Sequence, residues 1–150
     1  MHGATAVLLT TVLLGPSLSA QNADRVQFLP PGTSPAALVS DSVGNLYVCG
    51  SLNDHGFVTK LSPDGSTLFR FTLGGSGSDY VRSIALGPDG AIFAAGSTLS
   101  PDFPATAGSV PEVSEYNSRA FVLKLDRSGN LQYATLINGG SSTYCDGVAV

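Results

Sequence analysis

Acid–base, nucleophilic and metal chemistry would have to come from few side chains in this chain: two histidines, two cysteines and eleven carboxylates among 150 residues. His2 lies beside an apolar N-terminal run and His55 stands alone in a loop, so no pair of imidazoles converges on a metal. A Ser–His–Asp arrangement would have to use His55, and the serines are loop residues without the strand-to-helix elbow that exposes a nucleophile. Cys49 and Cys145 sit at different points of a repeated pattern. A disulfide needs Cα atoms within about 7 Å, so the pair reads first as two unpaired thiols, with a bridge to each other or to another region as alternatives. Asp64, Asp89 and Asp126 fall in Gly-containing turns, where a short carboxylate bonds nearby backbone N–H groups. The run Asp126-Arg127-Ser128-Gly129-Asn130 has the outline of a calcium loop but lacks the alternating acids and the distal Glu. The expectation is no catalytic residue, no metal and no cofactor.

The elements that position these side chains follow from self-similarity. Ala36–Gly50 reads AALVSDSVGNLYVCG and Ser83–Gly96 reads SIALGPDGAIFAAG, in register by 46 residues because Gly44 matches Gly90 and Gly50 matches Gly96. Gly56–Gly65, GFVTKLSPDG, recurs as Ala120–Gly129, AFVLKLDRSG, with Lys60 matching Lys124 at an offset of 64. The second copy therefore carries an insertion of 18 residues between its halves. A third copy starts at Gly139 with GGSSTYCDGVAV, echoing GGSGSDYVRSIAL at Gly74–Leu86. A period of this length marks an array in which no unit buries its apolar face alone.

Each unit holds four short apolar stretches, in the second copy Ser83–Leu86, Ile92–Gly96, Ala120–Leu125 and Leu131–Leu136. Rich in Val, Ile, Phe, Tyr and Leu and punctuated by Gly and Pro, they read as strands. The SDSVGN, GPDG, SPDG and DRSGN segments between them suit tight reversals, since Gly accepts positive φ and Pro presets the turn. Each unit is thus a four-stranded antiparallel meander, and such units at this spacing predict an all-β fold, a β-propeller.

The run GGSGSDYVRSIALGPDGAIFAAGSTLSPDFPATAGSV followed by RAFVLKLDRSGNLQYATLINGG resembles the bacterial SBBP β-propeller repeat family. Its pattern is a Gly-Gly junction, an I-A-hydrophobic strand, a G-N-hydrophobic-Y/F strand, a G-S/T-T segment leading to D-F-P, and an A-F-V-x-K-L strand. The likeness runs from about Pro35 onward. The first copy departs from it, having only SLNDHG between Gly50 and Phe57. On this basis blade 1 covers about 35–75, blade 2 about 76–140, and a third blade starts over 141–150. The resemblance implies a fuller parent of about seven blades, within the usual 4–8, and the chain reads as truncated. The remaining blades of the same propeller are then its first partners.

Ala4–Leu14 is an apolar run of 11 residues, too short to span a bilayer, followed by Pro16 and SLSAQ. Residues 1–20 read as a signal peptide, with cleavage after Ser19 or Ala20, and 21–34 as the leader of the mature chain. The n-region has no Lys or Arg, and a buried apolar strand is the competing reading. No other stretch has transmembrane length, so the chain is expected to be secreted or displayed at the cell surface. A net charge of −4 with scattered basic residues gives nucleic acid nothing to bind.

In an up-and-down meander the loops leaving the second and fourth strands emerge at one end, opposite the Asp-Gly turns. The 51–56 and 97–119 loops therefore share a face with the junctions at 74–82 and 139–147. Sites on rigid scaffolds are drawn from such loops. The candidates are Asp54, His55, Asp79, Tyr80, Asp102, Phe103, Tyr116, Arg119, Tyr144 and Asp146. Bland roles compete at each: Phe103 plugging a gap between blades, Tyr80 and Tyr144 packing at equivalent positions, Asp54 and His55 solvated. The expected function is a non-enzymatic scaffold binding a glycan or protein ligand. The alternatives are a secreted propeller lyase or glycan hydrolase whose catalytic residues lie largely in other blades, and a unit that completes its ring with further copies.

Overall fold

The structure, a computed structural model, describes residues 6–7, 27–106, 117–137 and 142–150, with backbone alone at 6–7 and 27–28. The chain divides into two units, Met1–Thr33 and Ser34–Val150. In the first, β1 (Ala6–Val7) pairs antiparallel with β2 (Gln27–Phe28). Residues 1–20, expected to be a signal peptide, otherwise lie outside the described residues.

The rest is all β, with no helix among the described residues. Two four-stranded antiparallel sheets follow each other along the chain. The first is ordered β3 (Thr33–Ser40), β4 (Leu46–Leu52), β5 (His55–Leu61), β6 (Thr67–Leu73), and the second β7 (Asp79–Leu86), β8 (Ile92–Thr98), β9 (Arg119–Leu125), β10 (Leu131–Ile137). β3 shows the alternating burial of a strand packed on one face. The central strands β4, β5, β8 and β9 are buried over most of their length, which their small and apolar residues permit.

Four turns at one end of the sheets share one hydrogen-bond scheme. Gly44, Gly65, Gly90 and Gly129 all have φ between 80° and 89°. Each glycine N–H donates to the carbonyl three residues back, on Asp41, Ser62, Gly87 and Asp126 respectively. This is the three-residue hairpin loop closed by a left-handed glycine. Asp41 and Asp126 then fix their turns identically: Oδ1 accepts from the amides two and four residues on, and Oδ2 from the Asn45 or Asn130 side-chain amide. Asp64 and Asp89 likewise accept from Ser66 N and Ala91 N. These carboxylates do turn work, as their sequence context implies.

The opposite end differs from expectation in two places. The segment 51–56 is no loop: β4 and β5 run into a two-residue turn at Asn53 and Asp54, both at positive φ, closed by the Leu52–His55 pair. The 74–82 junction is also shorter than expected, because β7 already starts at Asp79. A bulge at Arg82 shifts the register between Val81 and Ser83, hiding the alternation that would have marked this part as strand.

One apolar core spans both sheets. It joins Tyr47, Cys49 and Val58 of the first to Val81, Ile92, Phe121, Leu123 and Leu125 of the second. The sheet-to-sheet junction is keyed by the Asp79 N–H donating to the Asp54 carbonyl at 2.7 Å. The Thr143 N–H donates to the Ser118 carbonyl at the same 2.7 Å, each partner displaced by 64 residues. Residues 142–150 therefore meet the second sheet through the bond equivalent to the one that joins β7 to the first, with Cys145 at the repeat position of Val81 but only partly buried where Val81 is fully buried. They form no strand, since none of the described strands pairs with them.

Both cysteines are free. Burial pushes the fully buried Cys49 thiol up to about 11, against a small opposing effect of a backbone hydrogen bond at Ala37. Cys145 is partly exposed. Because the thiolate is the reactive form, a disulfide-exchange reagent at mildly alkaline pH is expected to titrate one thiol rapidly in native protein and the second only after denaturant is added. Equal rates for both thiols in native protein would contradict this placement.

Candidate functional site

The end carrying the junction and the long β8–β9 connection brings four of the ten candidates together. Asp79, on the first residue of β7, is fully buried. Its Oδ2 accepts from Gly75 N at 3.0 Å and from the Ser100 hydroxyl at 2.8 Å, while His55 Nδ1 stands 3.9 Å away. Its Oδ1 has no hydrogen-bond partner among the described residues, which leaves the desolvation cost of that oxygen uncompensated. Ser100 Oγ also accepts from Gly75 N and Gly77 N. Asp102 Oδ1 accepts from the Ser76 amide at 2.7 Å and its hydroxyl at 2.9 Å. The Arg119 guanidinium donates to the Ser100 carbonyl.

The glycines of the junction make room for this network. A Cβ on Gly74 would stand 2.4 Å from Asp79 Oδ2 and 2.5 Å from His55 Nδ1, and one on Gly75 would stand 2.3 Å from Asp102 Oδ1. The Gly-Gly pair is a backbone cradle into which three side chains close. Chemically it is a latch tying the 99–106 segment to the junction. Ser100 Oγ donates to the Asp79 carboxylate and accepts from two backbone amides, so both of its lone pairs are engaged and none is free to attack.

The Ser76 amide, then its hydroxyl, hold the Asp102 carboxyl below its ordinary value of 3.8; slight desolvation opposes them and Arg119 adds a minor attraction. A carboxylate with a lowered folded pKa stabilises the fold above its unfolded pKa, and that contribution fades as pH falls through the folded value. The latch is therefore expected to hold at neutral pH and to loosen below pH 3.8. Amide exchange at Ser76, corrected for its intrinsic rate, checks this: protection should drop on acidification in wild type and be low at every pH in Asp102→Ala.

The other candidates go elsewhere. Phe103 is in the core, stacked on Phe121 with ring centroids 4.9 Å apart. Asp54 contributes its backbone carbonyl, its side chain being exposed. Tyr116 lies outside the described residues. Tyr80, Tyr144 and Asp146 form a separate group around Arg82, whose guanidinium is 6.0 Å from the Tyr80 ring centroid and 5.6 Å from that of Tyr144. Arg82 Nε lies 3.8 Å from Asp146.

No family model matches the chain, and a search of curated proteins finds no match. Among the described residues no helix is long and apolar enough to cross a membrane, and no three His, Cys, Asp or Glu side chains are placed to hold a metal ion.

Two side chains that organise these groups escaped sequence reasoning. Ser100, the hub of the latch, precedes Pro101 and Asp102 in a segment where attention falls on the acid. Arg82 is the basic residue inside β7, two positions after Tyr80, and that spacing was the available signal. A shallow groove at the opposite end, lined by Asp89, Lys124, Asp126, Arg127 and Gln132, is no rival site. Its carboxylates are committed to turns.

Proposed function

We propose that this chain is an exported, non-enzymatic β-propeller scaffold of the SBBP-like kind, which presents its junction end to a ligand or a cell-surface partner. The observation that carries this reading is the recurrence of the junction bond: Asp79 to Asp54 between the two sheets, Thr143 to Ser118 one unit later. A contact that repeats with the sequence period supports a unit that propagates blade by blade. The scaffold role is favoured over a reaction because the two carboxylates of the latch are engaged in positioning backbone. Asp79 and Asp102 both accept amide and hydroxyl hydrogen bonds that shape the loop.

The test is fractionation of a bacterial host expressing the chain, with mass spectrometry of its N-terminus and turnover assays on the recovered protein. Recovery outside the cytoplasm, starting at Ala20 or Gln21 and inert towards chromogenic glycosides and uronate polymers, is the expected result. Retention in the cytoplasm with Met1 in place would overturn export, and turnover of any of these substrates would overturn the non-enzymatic role.

A further inference from the structure

The group around Arg82 is not part of the latch, and its geometry suits a ligand. Tyr80 and Tyr144 hold equivalent repeat positions, yet neither is packed away: they are 37% and 55% exposed. The bulge in β7 leaves Arg82 outside the paired register, with Val81 on its N-terminal side fully buried. The shifted arginine places one guanidinium against both rings and beside Asp146, its repeat equivalent. Arg82 Nε also donates to the buried Ser97 hydroxyl at 3.3 Å, which anchors the side chain to β8. The result is a surface strip of ring, cation, ring and carboxylate, preorganised by contacts within it.

We infer that this strip binds a neutral glycan chain. The tyrosine rings offer rigid apolar faces at low entropic cost, on which the C–H faces of sugar rings stack. Arg82 supplies donors and Asp146 acceptors, and as one cation beside one anion they give the strip no net charge. A ligand must therefore bring donors and acceptors together without net charge, as a sugar hydroxyl does. A polyproline peptide would also stack on the rings, but its backbone has no N–H to give. It would desolvate the Asp146 carboxylate without replacing its water. The chain's net charge of −4 disfavours a polyanion.

This inference rests on the binding-scaffold reading and names its ligand class. The chain has no tryptophan, and Tyr80 and Tyr144 are two of its five tyrosines, so tyrosine emission includes a signal from the strip. Purified protein would be titrated with cellohexaose, laminarihexaose and mannohexaose, and separately with decaproline, following fluorescence and heat. Saturable binding of at least one hexasaccharide is expected, weakened about tenfold or more by Tyr144→Ala and by Arg82→Gln and retained in Tyr144→Phe. Tyr144 lies outside the strands, so its variants test the site without testing the fold. Binding of no hexasaccharide, or binding indifferent to Tyr144→Ala and Arg82→Gln, overturns the glycan. Decaproline bound at Tyr144 with no saccharide bound also overturns it, while leaving the scaffold reading intact. Shortened saccharide in the titrated mixture would sink the scaffold reading itself.

Discussion

Gly96→Ala is expected to cost about 3 kcal/mol or more of stability, although it adds a single methyl group. An added Cβ would stand 1.8 Å from the Tyr80 carbonyl oxygen, 2.9 Å from its carbon and 3.0 Å from Val81 Cα. All three are backbone atoms of the neighbouring strand, so no side-chain rotation relieves the overlap. The strand must separate or the bulge at Arg82 must unwind. Gly50 meets Ser34 and Pro35 in the same way, its Cβ falling 2.1 Å from the Ser34 carbonyl oxygen. The bare strand is backed in each sheet by a phenylalanine on the next one: Gly50 pairs with Phe57 and Gly96 with Phe121. Gly147→Ala is the control, since nothing lies within 4 Å of its Cβ, and it should stay within about 0.5 kcal/mol of wild type. Urea unfolding of the two variants separates the outcomes. A Gly96→Ala midpoint equal to that of Gly147→Ala would refute the close approach.

The repeat made the sheets legible, because turn chemistry and strand composition agreed with each other in both copies. Gly44, Gly65, Gly90 and Gly129 announced the four hairpins, and each does adopt positive φ. What sequence could not show was where strands end when loops are short. SLNDHG looked like a variable loop because Asn, Asp and Gly dominate it, but a two-residue reversal needs such residues at positive φ, as Asn53 and Asp54 have. Asp79 looked like a junction residue because the bulge three positions later breaks the period-2 pattern.

The candidate site was legible by end rather than by partner. Meander topology gathers Asp79, Asp102 and Arg119 at one end, and there they meet. Topology has no means of finding Ser100 between them, because a hydroxyl shared by two amides and a carboxylate leaves no signature in residue type. The separation of the latch from the Tyr80–Arg82–Tyr144 strip follows from alternation along β7. Successive side chains point to opposite faces, so the buried Asp79 turns inward and Tyr80 outward. The sequence places the two next to each other, and the strand assigns them different work.

The 99–106 segment that carries Ser100 and Asp102 also carries Phe103, and Phe103→Ala is the second change expected to be severe, at about 3 kcal/mol. The ring is 7% exposed, lies in the core shared by both sheets and stacks on Phe121. Removing it leaves a cavity that the proline-flanked segment is poorly able to collapse into, since Pro101 and Pro104 restrict the backbone on either side. The ring also anchors the residues on its C-terminal side. Thr106 N donates to the Ala134 carbonyl at 2.9 Å and Thr106 Oγ1 accepts from Ala134 N at 2.7 Å, covering part of the outer edge of β10. An uncovered edge strand invites pairing with another chain, so Phe103→Ala should aggregate on mild warming as well as unfold earlier. Phe103→Leu refills most of the cavity without the stacked ring and should cost about 1 kcal/mol. A double-mutant cycle of Phe103→Leu with Phe121→Leu isolates the ring–ring contact, with a coupling of about 0.5–1.5 kcal/mol expected. Zero coupling would mean that burial of the Phe103 side chain, and not stacking of its ring on Phe121, holds the segment and with it the cover on the edge of β10.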